Sequence, residues 1–422
     1  MSKKILIYYL VLFLILLVWN NTDAPPATPL RIAFLVALIL PGLRERNALI
    51  PAALICFRGV SSNGYAYTYM PYTTSLYTVI VLLAVLLNMG KSSPVRLSEK
   101  KYMWIFLIYV TVVNVCTKFG VDQLSHTLLI TILFLSLISD GDKEALNIIE
   151  CSFIFMTIGI SILSLSAREQ ILLNSVSYDI DSERIAWVDP NYMGVQVEMG
   201  AIVALFKLFD EQVLSLPVKL ISILAITLAL PTILMTGSRG AVLCIAVVFL
   251  LLFLVTDTKL WVKLIIVSAI IAFCVYLYTN EFFDLFLTRV QNDESSGSGR
   301  LDIWKAKYDA FITDGNILTL LFGFGSFGGM MLGYSHLQGF HNDYLSFLCC
   351  FGVIGFVLFL FYLLLPCKIV NKSSYAKYKV IAGTVFLLVS ITTLEPFGLG
   401  YFTFYAFVLY LFLLAKNSNV RA

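Results

Sequence analysis

Apolar residues run through this chain in blocks of membrane length, and polar positions gather between the blocks. A spanning helix needs about 20 mostly apolar residues. That template predicts spans near 4–20, 29–43, 46–59, 72–89, 102–118, 124–139, 145–166, 191–209, 216–235, 239–256, 259–279, 343–365, 376–393 and 398–415. The second and third are short enough to be a tilted or re-entrant pair, so about 12–14 helices are expected. The expected fold is an all-α polytopic membrane protein with one large loop domain of amphipathic helices. Residues 1–279 would form the N-terminal part of the transmembrane bundle, 280–342 the loop domain, and 343–422 the C-terminal transmembrane helices.

Composition agrees with the pattern. Charged residues make up 13% of the chain, too few to solvate a soluble surface, which carries roughly 25%. The eight cysteines lie in or beside apolar runs without metal-ligand spacing. They read as small buried hydrophobes, and neither a disulfide nor a metal site is expected. The opening "MSKKILIYYLVLFLILLVW" resembles a signal peptide, but its apolar stretch is long and many spans follow, which favours a retained helix.

Charge gives the expected orientation. With the N-terminus inside, 91–101, 368–379 and the C-terminal tail are also inside, and that side collects 19 of the 29 Lys and Arg. Residue type divides more sharply. The inner side holds 15 Lys and 4 Arg, the outer side 3 Lys and 7 Arg. Topology needs only positive charge inside. Guanidinium adds a planar fork that binds phosphate or carboxylate in two places, so outer arginines point to an anionic ligand arriving there.

Two outer segments are long enough to hold a site, 167–190 and 280–342. The second opens with "EFFDLFLTRVQ", whose spacing suits a helix on the membrane surface. In "RLDIWKAKYDAFITD", Leu301, Trp304, Tyr308 and Phe311 fall on one helical stripe, with Arg300 at the helix start. Free N–H groups there also favour an anion. "LLFGFGSFGGMMLGYSHLQGF" then brings glycines that could let backbone approach a phosphate, although no P-loop is present. In "TGSRGAV", Arg239 stands at an outer helix start behind small residues.

These landmarks follow in a fixed order: "RIAWVDPNYMG", "SRG", Gly299-Arg300 ahead of Trp304, "GFGSF", and "HNDYL" opening a helix that continues "GVIG". Over about residues 180–400 the chain resembles the O-antigen polymerase and O-antigen ligase superfamily of bacterial inner-membrane glycosyltransferases. The resemblance implies transfer of a glycan from undecaprenyl diphosphate to a sugar hydroxyl on the periplasmic face. It assigns the functional arginines to Arg239 and Arg300, the histidine to His341, and the acidic residue of the last outer loop to Glu395.

On that reading Arg239 and Arg300 stabilise the diphosphate as the glycosidic bond breaks. His341 takes the acceptor proton, an imidazole being suited to the task near neutral pH. The bland alternative makes His341 a helix-start residue, with Asn342 and Asp343 as caps. Arg184, Arg289, Asn342, Glu198, Glu395 and Trp304 are expected to contact substrate, Glu198 because intramembrane carboxylates are usually functional. No cofactor and no metal are expected, since the outer face shows no Asp-x-Asp or His-rich set. Expected partners are the undecaprenyl-diphosphate-linked oligosaccharide and the lipid bilayer. A chain-length regulator protein could join them; no nucleic acid is expected.

A polymerase is the leading reading, because "GFHND" lacks the second adjacent His often seen in the ligases. The ligase, acting on lipid A-core, is the alternative. A lipid-linked oligosaccharide flippase is more distant, since transporters place polar groups near the midplane of several helices. Here the apolar blocks are nearly free of charge.

Overall fold

The computed structural model describes residues 3–20, 28–61, 81–87, 97–117, 123–138, 141–168, 190–209, 216–256, 260–284, 286–287, 299–334, 339–372 and 374–419. Regular structure among them is entirely helical. In chain order the helices are α1 (Lys3–Asn20), α2 (Thr28–Arg44), α3 (Leu49–Ser61), α4 (Leu97–Cys116), α5 (Gln123–Leu137), α6 (Lys143–Ser166), α7 (Pro190–Leu208) and α8 (Leu216–Met235). There follow α9 (Arg239–Val255), α10 (Leu260–Thr279), α11 (Arg300–Thr313), α12 (Ile317–Phe322), α13 (Gly325–Met331), α14 (Asp343–Ile369), α15 (Ala376–Ser390) and α16 (Phe402–Asn419). The predicted span at 72–89 and the loop at 167–190 lie largely outside the described residues.

Among the described residues, three helices are long and apolar enough to cross a bilayer, α6, α8 and α14. Shorter apolar stretches run over Ile7–Trp19, Ile32–Arg44, Leu124–Leu137, Arg239–Val255, Val267–Thr279 and Phe402–Ser418. The fold is an all-α membrane protein. Its chain forms two compact units, each assembled from separate stretches: Met1–Pro71 with Asn147–Asn292, and Tyr72–Leu146 with Asp293–Ala422.

In the first unit, α7 is the most enclosed helix, buried from Tyr192 to Lys207. Small residues make that possible. A Cβ on Gly200 would lie 2.2 Å from the Phe153 carbonyl oxygen, so α6 and α7 meet backbone to backbone. Thr157 Oγ1 donates to the Val197 carbonyl at 2.8 Å. Nearer the other end of α7, Lys207 pairs with Glu150 and donates to Asn147 Oδ1 at 2.7 Å. That compensates two charges held away from water.

In the second unit, α16 is buried from Phe402 to Ala415, as a helix apolar on every face requires. Beside it, Phe347 and Phe359 stack at 3.9 Å between centroids, and Tyr405 donates to the Phe397 carbonyl at 2.9 Å. The predicted single span at 343–365 is broken. Gly352 adopts φ 67° inside α14, and a Cβ there would lie 2.3 Å from Leu321 backbone. The break releases carbonyls that find partners elsewhere: Phe324 N–H donates to Cys349 O at 3.1 Å, and Tyr109 Oη–H to Phe351 O at 2.7 Å.

The glycine-rich stretch serves the same packing. Cβ atoms on Gly323, Gly325 and Gly329 would collide with Cys350 O, Thr117 Oγ1 and Cys350 Sγ at 2.1–2.4 Å. These glycines bring α12 and α13 onto α4 and α14. Two further expectations differ. Glu281 turns at φ 61°, and 281–283 form a turn where a surface helix is predicted to begin. On α11 the inward face is Trp304, Lys307 and Phe311, while Leu301 and Tyr308 are half-exposed.

Candidate functional site

Arg300 is the first residue of α11, behind Gly299 at φ 75°. One turn on, Trp304 Nε1 donates to the Phe340 carbonyl at 2.8 Å. A further turn brings Lys307, which is fully buried and donates to the carbonyls of Gly329 and Met330 at the end of α13. Its ammonium also lies 4.6 Å from the centre of the Phe340 ring. Carbonyl oxygens and an aromatic face replace water around this cation. Burial lowers the Lys307 pKa, while the Cys350, Glu395 and Cys349 groups oppose the shift.

Phe340 and His341 are thus fixed from one side by α11, and Glu395 fixes them from the other. Its Oε2 accepts from Phe340 N at 2.6 Å and His341 N at 3.3 Å, and its Oε1 from Ser346 Oγ at 2.7 Å. His341 has φ 50°, a left-handed conformation that costs an ordinary residue roughly 1–2 kcal/mol. The twist aims two successive N–H groups at one oxygen, the arrangement by which backbone binds an anion. Here the protein's own carboxylate occupies it. Burial raises the Glu395 pKa to about 7, against the three hydrogen bonds and the Lys307 charge that lower it.

Asn342 caps α14, its Oδ1 accepting from Leu345 N at 3.0 Å, and its Nδ2 donates to the Thr392 carbonyl at 3.1 Å. Asp343 is not a cap. It turns inward, fully buried, and accepts from Phe397 N at 2.9 Å and Gly398 N at 2.7 Å. Its own N–H lies 3.0 Å from the Ile391 carbonyl. Asp343 and Glu395 therefore cross-link the start of α14 and the 391–401 turn reciprocally, each accepting from the other's segment.

In the first unit, Arg239 is the first residue of α9 and is exposed. The small residues before it pack closely. Ser238 Oγ accepts from Ala241 N at 3.4 Å, Thr236 Oγ1 donates to Ile233 O at 2.7 Å, and Gly194 leaves room for Thr236. Glu198 lies on α7, fully buried, and among the described residues neither of its carboxyl oxygens has a hydrogen-bond partner.

The structure thus brings Arg300, Trp304, His341, Asn342 and Glu395 into one connected set within the second unit. Arg239 and Glu198 belong to the first unit, and Arg184 and Arg289 lie outside the described residues. Lys307, Asp343 and Ser346 join the set without having been singled out as ligands. Lys307 had a readable signal: it stands three residues after Trp304 and four before Phe311, on the face that a helix in contact must bury.

No curated protein matches the chain. The family model described as O-antigen ligase matches residues 224–360, a stretch that includes Arg239, Arg300 and His341 and ends before Glu395. Over this stretch the chain is similar to the O-antigen ligase family, which supports a place in the superfamily of O-antigen ligases and polymerases.

Proposed function

We propose that the protein is an O-antigen polymerase of the bacterial inner membrane. It would transfer a glycan from undecaprenyl diphosphate to a sugar hydroxyl of another lipid-linked repeat unit at the periplasmic face. The observation that carries this reading is the hydrogen bond from Trp304 to Phe340. It ties the helix headed by Arg300, the anion-binding group, to the residue adjoining His341, the proton acceptor.

His341 accepts the proton of the acceptor hydroxyl as that oxygen attacks the anomeric carbon. The bond from this carbon to the diphosphate oxygen breaks, and the configuration inverts. Charge developing on the diphosphate is met by Arg300, and Arg239 is the second guanidinium that the family resemblance assigns to it. The diphosphate is itself the leaving group, so no nucleotide is consumed. Asn342, next to His341 in the chain, and Trp304, bonded to Phe340, are read as contacts for the sugars, Glu198 as a contact for the acceptor, and Arg184 and Arg289 as positive charge for the donor.

The test uses purified protein and undecaprenyl-diphosphate repeat unit alone. Dimers and longer oligomers are expected without ATP and in the presence of EDTA, and none from His341→Ala. Oligomers that form only after lipid A-core is added would make the protein a ligase. Full activity per folded molecule in His341→Ala would return the histidine to a helix-start role.

A further inference from the structure

We propose that α12 is a re-entrant element, set within the outer-leaflet hydrocarbon, whose exposed face is covered by the acyl chains of the surrounding bilayer. Its sequence, ILTLLF, holds no charge. Ile317 and Leu318 are 74% and 63% exposed, and Leu321 and Phe322 are 39% and 42% exposed. In an aqueous loop, four adjoining apolar side chains in water would be unfavourable by roughly 25 cal/mol for each Å² shown. Polar residues border the helix on its upstream side, where Thr313, Asp314 and Asn316 are exposed.

Two independent contacts set its depth. Phe324 N–H, just beyond α12, bonds Cys349 O, and Leu321 backbone packs on Gly352. Cys349 and Gly352 lie six and nine residues into α14, roughly 9 and 13 Å from its start at 1.5 Å per residue. On α4, Tyr109 bonds Phe351 O, and it stands seven residues before Cys116, about 10 Å from that helix end. The interfacial layer on each side of a bilayer is only about 5–8 Å thick. The C-terminal end of α12 therefore lies below it. At Ser326 the chain lies between α4 and α14, where Ser326 N–H bonds Asn114 Oδ1 at 2.9 Å and Cys350 Sγ donates to the Ser326 carbonyl at 3.7 Å.

Non-helical backbone at this depth must be satisfied by protein. The Gly323–Phe324 turn meets that condition through Cys349 O, and Asn316 with Thr319 closes a capping box at the other end of α12. The occupant of the exposed face follows from continuity. Val353 and Val357, just beyond the Gly352 contact, are 47% and 57% exposed on a helix long and apolar enough to cross the membrane. The same acyl chains that cover them reach α12. The inference depends on α14 crossing the membrane with its start at the outer side, and not on the reaction proposed above.

Carbene labelling of the full-length protein in nanodiscs tests it. A phospholipid with a diazirine midway along one acyl chain should label the peptide holding 317–322 as well as Val353 and Val357. A water-soluble diazirine should label 301–309 and spare 317–322. Acyl-chain adducts at Val353 and Val357 with none at 317–322 would overturn the proposal and place α12 in water or under another protein chain. Aqueous labelling of 317–322 as strong as that of 301–309 would overturn it too. Neither readout uses activity, so failure here leaves the proposed reaction standing, and an inactive protein leaves this inference standing.

Discussion

Glu198 and Glu395 are both buried carboxylates, and they meet opposite conditions. Glu395 collects three donors, two from backbone and one from Ser346, whereas among the described residues Glu198 has no hydrogen bond to either oxygen. The cause is local backbone. Glu198 projects from the middle of α7, where N–H groups are consumed by the helix's own ladder. Glu395 sits in a turn facing the start of α14, where N–H groups are left over. The arginines divide along the same line between the units. Arg239 follows a Ser cap on an apolar helix, and Arg300 follows a left-handed glycine on a helix tied to Phe340. A buried carboxylate with donors fixes geometry. One without donors is stability given up, and such a cost points to function.

The arginines offer the largest expected effect. Arg239→Lys and Arg300→Lys should each lower polymer formation roughly 30- to 1000-fold, about 2–4 kcal/mol of transition-state stabilisation. Charge is kept and the fork is lost. Initial rates at matched expression check this. If both Lys variants worked at wild-type rates, neither unit would supply a diphosphate clamp.

Glu395→Ala is next. It strands two buried N–H groups and should cost about 2–3 kcal/mol, read as a lower unfolding temperature in detergent. Glu395→Gln keeps an acceptor and should lose less. The carboxyl also predicts a pH dependence, with Lys307, Asp343, Cys349 and Cys350 the titratable groups around it. Its folded pKa of about 7 exceeds its ordinary 4.5. The native state therefore holds the proton more tightly, and the associated stability is full below the ordinary value and lost as pH rises through 7. Between about pH 5 and about pH 8, unfolding temperature should fall in the wild type and change less in Glu395→Gln. Equal slopes would remove Glu395 as the titrating group.

Glu198→Met sharpens the contrast from the other side. Removing a buried carboxyl that lacks partners should stabilise the protein by about 1–2 kcal/mol, while turnover falls. A variant that is more stable and fully active would leave Glu198 with no role in substrate contact. The smallest effect is expected from Trp304→Phe, which deletes one hydrogen bond worth about 1 kcal/mol and retains the ring. Activity should drop several-fold with little change in unfolding temperature. A loss in Trp304→Phe as large as in Arg300→Lys would mean that the indole contacts substrate itself.

Much of the fold was legible because a membrane forces one solution. Apolar blocks of spanning length must be helical, and the helices fall on those blocks. The helix starts at Arg239 and Arg300 and the cap beside His341 were legible from a recognisable order of short motifs. Asp343 was misread as a cap because Asn342-Asp343 offers two candidates, and only the 391–401 turn supplies the N–H groups that draw Asp343 inward. The stripe on α11 was misread for a similar reason. A lysine counts as polar in any pattern, yet Lys307 is buried among carbonyls and rings that other segments provide.

The sequence by itself determined the membrane class, the helical elements and the residue types able to hold a diphosphate and move a proton. Those follow from hydropathy and side-chain chemistry, which are properties of each residue alone. Tertiary structure decided which carboxylates have donors, why Gly352 breaks α14, that His341 turns left-handed, and how deep α12 sits. Each depends on the backbone groups that a distant segment presents, and no spacing along the chain encodes them.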